Sequence, residues 1–251
     1  MTHQEYVVDG AGPALVLLHG GMSNRDDFDA QLAALVARYR VWRPDRRGHG
    51  ATPDLPGPIT YDNMADDTIA FLEAFVAEPA HLIGYSDGAM VALLVALRRP
   101  DLVRKLVLMG LYVNRDGEVD WFSRYVRRAT AADVPESLRR AYEDRSPDGA
   151  EHFDVVAEKI LHLWRTEPDL PVDALRDLAV PTLLLQADDD IVTLEHGVAM
   201  ARAIPDVQLA VVPGTSHTVP YEKADLVARL FLDFLADEPP RRLFTAEALG
   251  V

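Results

Sequence analysis

A pentapeptide between an apolar run and a helical pattern contains the residue best suited to act as a nucleophile. Residues 84–88 read Gly-Tyr-Ser-Asp-Gly and are followed by the apolar run 89–97. A G-x-S-x-G sequence between a strand and a helix predicts a tight turn that exposes its serine above the carboxyl end of the strand. The pattern therefore indicates Ser86 as a nucleophile. The simpler interpretation is a tight turn with an incidental serine.

A nucleophilic serine needs a general base, and the base needs a carboxylate that orients it. His217 follows the last apolar run, although a single loop histidine can also simply contact solvent. The preceding apolar run leads into three consecutive aspartates, 188–190. Three acids also suggest a metal, but the further ligand spacing of an EF-hand is missing. A solvated charge cluster is the remaining alternative for these aspartates.

Short apolar runs separated by amphipathic stretches predict the elements that position these side chains. The predicted strands are 5–8, 14–18, 40–43, 80–84, 105–109, 182–186 and 208–212. Most of them are continuously apolar, which is typical of strands buried on both faces of a parallel sheet. The predicted helices between them are 26–37, 63–76, 89–97, 195–203 and 223–235. This alternation predicts an α/β fold, with a mostly parallel, doubly wound sheet of about seven strands.

The alternation stops in one region of the chain, where helical patterns occur without a strand between them. These patterns cover 119–131, 135–142 and 152–165. We therefore predict a core domain formed by residues 1–113 and 181–251, interrupted by a helical insertion at residues 114–180. Pro-Pro and Arg-Arg pairs after residue 238 predict a loosely attached tail. Three aromatic residues of the insertion either seal its own small core or line a substrate pocket, namely Trp121, Phe122 and Tyr125.

Composition argues against several other classes of protein. The 251 residues carry 40 acidic and 25 basic side chains, and a net charge of −15 disfavours binding to nucleic acid. The absence of cysteine excludes disulfides, cysteine metal sites and a thiol nucleophile. No apolar run approaches the roughly 20 residues of a membrane helix. Because the first ten residues also lack signal-peptide features, we expect a cytoplasmic protein that binds no membrane.

Four motifs, in order, resemble those of the α/β-hydrolase superfamily over nearly the whole chain. They are the oxyanion loop at 19–22, the D-x-R-G-x-G loop at 44–50, the nucleophile turn at 84–88, and the acid and histidine segments at 181–190 and 213–217. The order serine, aspartate, histidine is also that of the superfamily. The resemblance implies the α/β-hydrolase fold, with the helical insertion as a cap after the sixth strand of the family. The family's first strand and its following hairpin are not matched here, which leaves seven strands.

The resemblance also implies the catalytic roles. Ser86 would attack an acyl carbonyl, His217 would take and return its proton, and Asp190 would orient the imidazole. Alanine replaces the family's usual glycine at position 187, so Asp188 is the reserve choice for the acid.

Backbone groups would stabilise the oxyanion. The resemblance assigns this role to the N–H groups of Gly21 and Asp87, with Met22 as the less favoured donor. His19 is expected to brace the oxyanion loop by hydrogen bonds. Arg46 and His49 are expected to order their own turn.

These assignments predict a serine hydrolase that cleaves a small carboxylic ester or lactone through an acyl-enzyme, without a metal or cofactor. The expected partner is this small-molecule substrate. Hydrolysis of a carbon–carbon bond or of an amide uses the same residues and stays open. A ligand receptor that retains the triad as a vestige is a further alternative, because fold alone does not prove turnover.

Asp87 could also select the substrate. The sequence GYSDGA resembles the GWSDGG turn of the valacyclovir-hydrolase group, in which this aspartate is implicated in recognising an α-amino group. A partly desolvated carboxylate beside the acyl site would favour a cation through a charge-assisted hydrogen bond. Alternatively, Asp87 pairs with Arg46 or Arg47, or points into solvent, and selects nothing.

Overall fold

Seven strands form a single sheet in the computed structural model, which describes residues 4–238. The strands are β1 (Tyr6–Asp9), β2 (Ala14–Leu18), β3 (Arg40–Pro44), β4 (Ala80–Tyr85), β5 (Val103–Met109), β6 (Thr182–Asp189) and β7 (Val207–Ser216). Their order is β1-β3-β2-β4-β5-β6-β7. β1 pairs antiparallel with β3, and each other pair of neighbours is parallel. The predicted tail, residues 239–251, lies outside the described residues.

The helices follow the predicted alternation. They are α1 (Asp29–Val36), α2 (Tyr61–Phe71), α3 (Asp87–Arg98), α4 (Asp120–Arg128), α5 (Glu136–Glu143), α6 (Phe153–Thr166), α7 (Leu194–Ala203), α8 (Val219–Glu222) and α9 (Ala224–Leu235). The predicted α/β fold with seven strands is confirmed. One difference bears on function: α3 begins two residues earlier than predicted, directly after Ser86.

The strands are continuously apolar because helices cover both faces of the sheet. Along β2, Val16 and Leu18 pack into the apolar cluster that contains α3. The alternate residues Leu15 and Leu17 pack into the cluster that contains Phe231 of α9. Successive side chains of a strand point to opposite faces, so every position of β2 is buried. Within residues 4–238, no helix combines the length and the apolar character needed to cross a bilayer.

The segment between β5 and β6 contains α4, α5 and α6. Its longest helix, α6, buries Phe153, Val156, Ile160 and Leu163, and this helical spacing forms one apolar stripe. Between this segment and the core, Lys159 donates to Asp54 at 2.6 Å. The subdivision of the chain into a core and a cap stays a prediction.

Candidate active site

The turn between β4 and α3 holds Ser86 in a strained conformation. Ser86 has φ 53° and ψ −119°, which a non-glycine residue adopts at a cost of about 1–3 kcal/mol. Glycine is required on both sides of this turn, because any side chain at position 84 or 88 would collide with neighbouring backbone atoms. A Cβ at Gly84 would lie 2.3 Å from the carbonyl oxygen of Gly88, and one at Gly88 would lie 2.0 Å from that of Leu18. The serine consequently projects from the carboxyl end of a buried strand.

Ser86, His217 and Asp190 form one chain of hydrogen bonds. The Ser86 Oγ lies 3.0 Å from His217 Nε2, and His217 Nδ1 lies 2.6 Å from Asp190 Oδ1. The carboxylate accepts, so the proton of the neutral imidazole is on Nδ1, and Nε2 is free to accept from the serine. The backbone N–H groups of Ala187 and Ile191 also donate to Asp190, whose side chain is fully buried.

Asp188, the reserve choice for the acid, lies elsewhere. It accepts hydrogen bonds from the backbone N–H groups of Gly214 and Thr215 at 2.8 and 3.0 Å. These two donors lower the pKa of Asp188. Its contacts connect the end of β6 to the end of β7, shortly before His217, whereas Asp190 contacts the imidazole itself.

Two further residues position the imidazole. The Tyr85 hydroxyl donates to the backbone carbonyl of His217 at 3.0 Å. Gly110 has φ 64°, and a Cβ at this position would lie 2.8 Å from Cε1 of the His217 ring. Position 110 therefore requires glycine, both because of its positive φ and because a side chain there would collide with the His217 ring.

The oxyanion loop lies beside the nucleophile turn. A Cβ at Gly21 would lie 2.2 Å from the Asp87 Oδ2, so the two predicted N–H donors belong to neighbouring residues. Met22 is buried at φ 55°. His49 bonds within its own turn, with Nδ1 2.8 Å from the Arg47 carbonyl oxygen, as predicted. Arg46 differs from the prediction, because its side chain leaves that turn and contacts the oxyanion loop.

A cavity of about 230 Å³ lies above Ser86 and is mainly apolar. Aromatic side chains form much of its wall, namely Tyr61, Tyr85, Tyr112, Phe122, Trp164 and Tyr221. Of the three aromatic residues predicted from α4, only Phe122 is among its lining residues. Trp121 is 55% exposed, and the Tyr125 hydroxyl donates to the Asp133 carbonyl. The pocket assignment of these two residues is corrected. Trp121 directly precedes Phe122 on the helix and therefore points in a different direction. Tyr125 lies about one turn after Phe122 and stacks on its ring, but it does not line the cavity.

Asp87 lines this cavity and is only 5% exposed. Its carboxylate accepts from the Tyr61 hydroxyl at 2.7 Å and from Trp164 Nε1 at 3.0 and 3.1 Å. Neither arginine considered from the sequence pairs with it, since Arg47 binds Asp67 and Arg46 binds backbone carbonyls. Within residues 4–238, the structure has no ion pair to Asp87 at 4.0 Å or less. Both alternatives, an arginine partner and a solvent-exposed side chain, are thus wrong.

The fold and this geometry agree with comparisons to known proteins. Residues 15–230 match the model of the Alpha/beta hydrolase family. The chain belongs to the alpha/beta hydrolase family. The match covers the predicted nucleophile turn, acid segment and histidine segment.

Relatives of this alpha/beta hydrolase act on different bonds. The pyrrolizixenacetamide deacetylase of Xenorhabdus hominickii is 29% identical, with 93% of this chain and 94% of the deacetylase covered. The 2-hydroxy-6-oxo-6-phenylhexa-2,4-dienoate hydrolase of Burkholderia cepacia is 28% identical, with coverage of 91% and 89%. A thermophilic esterase from Thermogutta terrifontis superposes with a TM-score of 0.71, at 26% identity and 92% coverage of each chain. These similarities support a hydrolase activity and leave the type of bond open.

Several cavity residues of this hydrolase were not selected from the sequence. Tyr61 begins α2 and Trp164 is near the end of α6, yet both reach Asp87. Asp27 also lines the cavity, and burial raises its pKa. A resemblance to family motifs does not identify these residues, because they lie outside the matched loops. Helical periodicity could flag Trp164 only as an apolar position.

Proposed function

We propose that this chain is a serine hydrolase that cleaves a small carboxylic ester or lactone through an acyl-enzyme. The observation that carries this proposal is the hydrogen-bonded series from Ser86 through His217 to Asp190 at an aromatic cavity. A serine is a weak nucleophile at its free pKa, and an adjacent general base activates it. The neutral His217 imidazole, oriented by Asp190, can serve as this base.

The reaction follows from these positions. Ser86 Oγ attacks the acyl carbonyl while its proton passes to His217 Nε2. The resulting imidazolium, stabilised by Asp190, donates this proton to the departing alkoxide, which leaves Ser86 acylated. Water then attacks the carbonyl of the acyl-enzyme while His217 Nε2 takes its proton. When the bond to Ser86 Oγ breaks, the imidazolium returns this proton to Oγ, which releases the acid and restores the free serine. In both steps the N–H groups of Gly21 and Asp87 stabilise the oxyanion, and each such donor is worth about 2.7–4 kcal/mol.

The helical segment acts as a cap in this proposal. It supplies Phe122, Leu138 and Trp164 to the cavity wall. A cavity of about 230 Å³ favours a small acyl group, and its mainly apolar wall excludes water from the reacting carbonyl.

Asp87 selects an α-amino group next to the scissile carbonyl in this proposal. Its carboxylate is buried at the cavity, follows the nucleophile directly and receives hydrogen bonds from two neutral donors. Such donors compensate the negative charge only in part, so an ammonium group in the cavity would gain a charge-assisted hydrogen bond. The orientation by Tyr61 and Trp164 fixes the carboxylate in advance, which reduces the entropic cost of binding.

The test compares an α-amino ester with its neutral deamino analogue on the wild type and on Asp87→Asn. The wild type should prefer the amino ester by about 10-fold in kcat/KM, which corresponds to about 1.4 kcal/mol. The preference should vanish in Asp87→Asn while hydrolysis of the neutral ester persists. Asp188→Asn is the matched control, since it removes a carboxylate that does not line the cavity. Equal selectivity in the wild type and Asp87→Asn would exclude amine recognition.

A broader screen tests the type of bond. It uses p-nitrophenyl esters, lactones, aryl amides and a dienoate substrate of carbon–carbon hydrolases, because the named relatives include a deacetylase and a dienoate hydrolase. Ester or lactone turnover above that of the other classes is the expected result. Labelling of Ser86 by a fluorophosphonate tests the receptor alternative, because covalent labelling needs an activated serine. An unlabelled protein that binds a small ligand tightly would contradict the hydrolase proposal.

A further inference from the structure

We propose that Arg46 is a positioning residue that aligns and polarises the oxyanion-hole donor Gly21 through the carbonyl of Gly20. This proposal rests on the proposed function, because it assigns a role within the same reaction. The three residues come from two separate loops: Gly20 and Gly21 follow β2, whereas Arg46 follows β3. Arg46 touches neither the substrate cavity nor Ser86, so it would act through the backbone of the oxyanion loop.

The Arg46 side chain is fully buried, and two of its nitrogens donate hydrogen bonds to the oxyanion loop. Its Nη1 donates to the carbonyl oxygen of His19, and its Nη2 donates to that of Gly20 at 3.0 Å. The Gly20 carbonyl and the Gly21 N–H belong to the same planar peptide unit. A hydrogen bond that fixes the direction of this carbonyl therefore also fixes the direction of the Gly21 N–H.

His19 reinforces this hold on the same carbonyl. The backbone N–H of Arg46 donates to His19 Nε2 at 3.1 Å, so the ring proton is on Nδ1. Nδ1 then donates to the Gly20 carbonyl at 2.7 Å. Burial lowers the pKa of His19 well below its usual range, which keeps the ring neutral. The Gly20 carbonyl thus accepts from one neutral donor and one cationic donor.

The other end of Gly20 is held as well. Its backbone N–H donates to Asp27 Oδ2 at 2.7 Å. Asp27 also accepts from the hydroxyls of Ser23 and Tyr221. Because Tyr221 lies in α8, shortly after His217, this link connects the oxyanion loop with the loop of the base. Both peptide units around Gly20 are consequently fixed before substrate binds.

The charge of Arg46 adds to the alignment. A cation at a peptide carbonyl draws electron density toward the oxygen and increases the partial positive charge of the N–H on the same peptide. The effect is stronger in a buried site, where water screens little. Burial lowers the pKa of the Arg46 guanidinium, while the nearby Asp87 and Asp27 carboxylates oppose that shift. The guanidinium stays charged throughout the range in which an esterase operates.

The experiment compares Arg46→Gln and Arg46→Lys with the matched control Arg47→Gln. Arg47 lies on the same loop and binds Asp67, but it does not contact the oxyanion loop. Each variant is assayed for kcat and KM on a neutral p-nitrophenyl ester and for inhibition by a trifluoromethyl ketone. This inhibitor forms a tetrahedral oxyanion with an activated serine, so its affinity reports on the oxyanion hole. Circular dichroism and thermal unfolding check the fold of each variant.

Arg46→Gln should lower kcat by about 10- to 100-fold and change KM by less than about threefold. This decrease in kcat does not exceed the effect of removing an entire oxyanion-hole donor, which is about 100- to 1000-fold. Affinity for the trifluoromethyl ketone should fall in parallel. Arg46→Lys keeps the positive charge but cannot donate to both carbonyls in the same way, so its kcat and its affinity for the ketone should lie between those of Arg46→Gln and the wild type. If Arg46→Gln does not fold, Arg46→Lys is the variant that tests the proposal. Arg47→Gln should affect stability alone.

Two results would overturn the proposal in an enzyme that hydrolyses esters. One is a kcat within threefold of the wild type in a folded Arg46 variant. The other is a fall in kcat without any loss of affinity for the ketone, which would indicate a general disturbance of the loop. A wild type that neither hydrolyses esters nor reacts with a fluorophosphonate would instead remove the proposed function itself, so the two failures are distinguishable.

Discussion

The two regions of the molecule that meet at the cavity hold their residues in different ways. In the core, backbone geometry and buried hydrogen bonds fix Ser86 and Asp190, and the acid's side chain is completely buried. The helical segment between β5 and β6 reaches the cavity through side chains of its helices, such as Phe122 and Trp164. The proposed nucleophile and acid are thus held by backbone geometry and backbone hydrogen bonds, whereas the segment contributes side chains to the wall of the cavity.

The helical segment is attached to the core by ion pairs and by apolar packing. Lys159 and Arg145 of the segment pair with Asp54 and Asp26 of the core. Buried residues of α6 also share one apolar cluster with residues of α2 and α3. We therefore expect changes at the proposed nucleophile, base or acid to lower the rate by orders of magnitude, whereas changes in the segment should alter selectivity by much smaller factors.

The largest expected effect belongs to the nucleophile. Ser86→Ala should lower kcat for ester hydrolysis by about four to six orders of magnitude, because no acyl-enzyme can form. Thermal unfolding should change little, since the hydroxyl faces the cavity. His217→Ala should have a similar effect, because the members of a triad act as a unit. Hydrolysis within tenfold of the wild type in Ser86→Ala would contradict the assignment.

The acid is expected to have the next largest effect. Asp190→Asn should lower kcat by up to about 10⁴-fold, because an amide at this position favours the wrong tautomer of His217. Asp188→Asn is the matched control, two residues earlier at the end of β6, and should lower kcat far less. Steady-state kinetics of both variants check this ordering. The reverse ordering would transfer the catalytic role to Asp188.

A smaller effect concerns stability in acid. Burial, together with the charge of Arg46, lowers the pKa of His49 to about 3, against about 6.5 in the unfolded chain. Between these values the unfolded state binds more protons, so His49 destabilises the fold as the pH decreases below about 6.5. Between pH 7 and pH 5, His49 should lower the free energy of unfolding by about 2 kcal/mol, because one pKa unit corresponds to about 1.4 kcal/mol.

Denaturant unfolding of the wild type and of His49→Gln at both pH values measures the contribution of His49 to the free energy of unfolding. The free energy of unfolding should depend less steeply on pH in His49→Gln than in the wild type. His162→Gln, which removes an exposed histidine of α6, is the control for the loss of a histidine that is not buried. An unchanged slope in His49→Gln would indicate that the buried core histidine takes up a proton without cost.

The smallest expected effect lies in the helical segment. Phe122→Ala should raise KM for esters with an apolar acyl group by about 10-fold, or about 1.4 kcal/mol, because a cavity contact is lost. Trp121→Ala, which alters the exposed neighbour, should change KM by less than threefold. Kinetics with acetyl and hexanoyl esters test both. A larger effect of Trp121→Ala would return this residue to the pocket.

The accuracy of the sequence-based predictions follows the same division. Each predicted strand has an observed counterpart, because a strand buried on both faces needs a continuous apolar run, as in β2. The segment's helices were also predicted, since α6 has a clear apolar stripe. Which aromatic residues reach the cavity was predicted poorly: Phe122 reaches it, whereas Trp121 and Tyr125 do not. Periodicity determines which side of a helix is apolar but not which neighbour that side meets.

Local patterns in the amino-acid sequence are sufficient to predict the order of the elements and the loop that carries each candidate for catalysis. Apolar periodicity and the glycines around Ser86 are local properties, and parallel strands bring their carboxyl ends to one edge. The folded structure was needed to show that Asp190 rather than Asp188 contacts His217, and that Arg46 reaches the oxyanion loop. It also brought Tyr61 and Trp164 onto Asp87 from positions 26 and 77 residues away. Such contacts depend on how separate elements pack, and packing is a property of the whole chain.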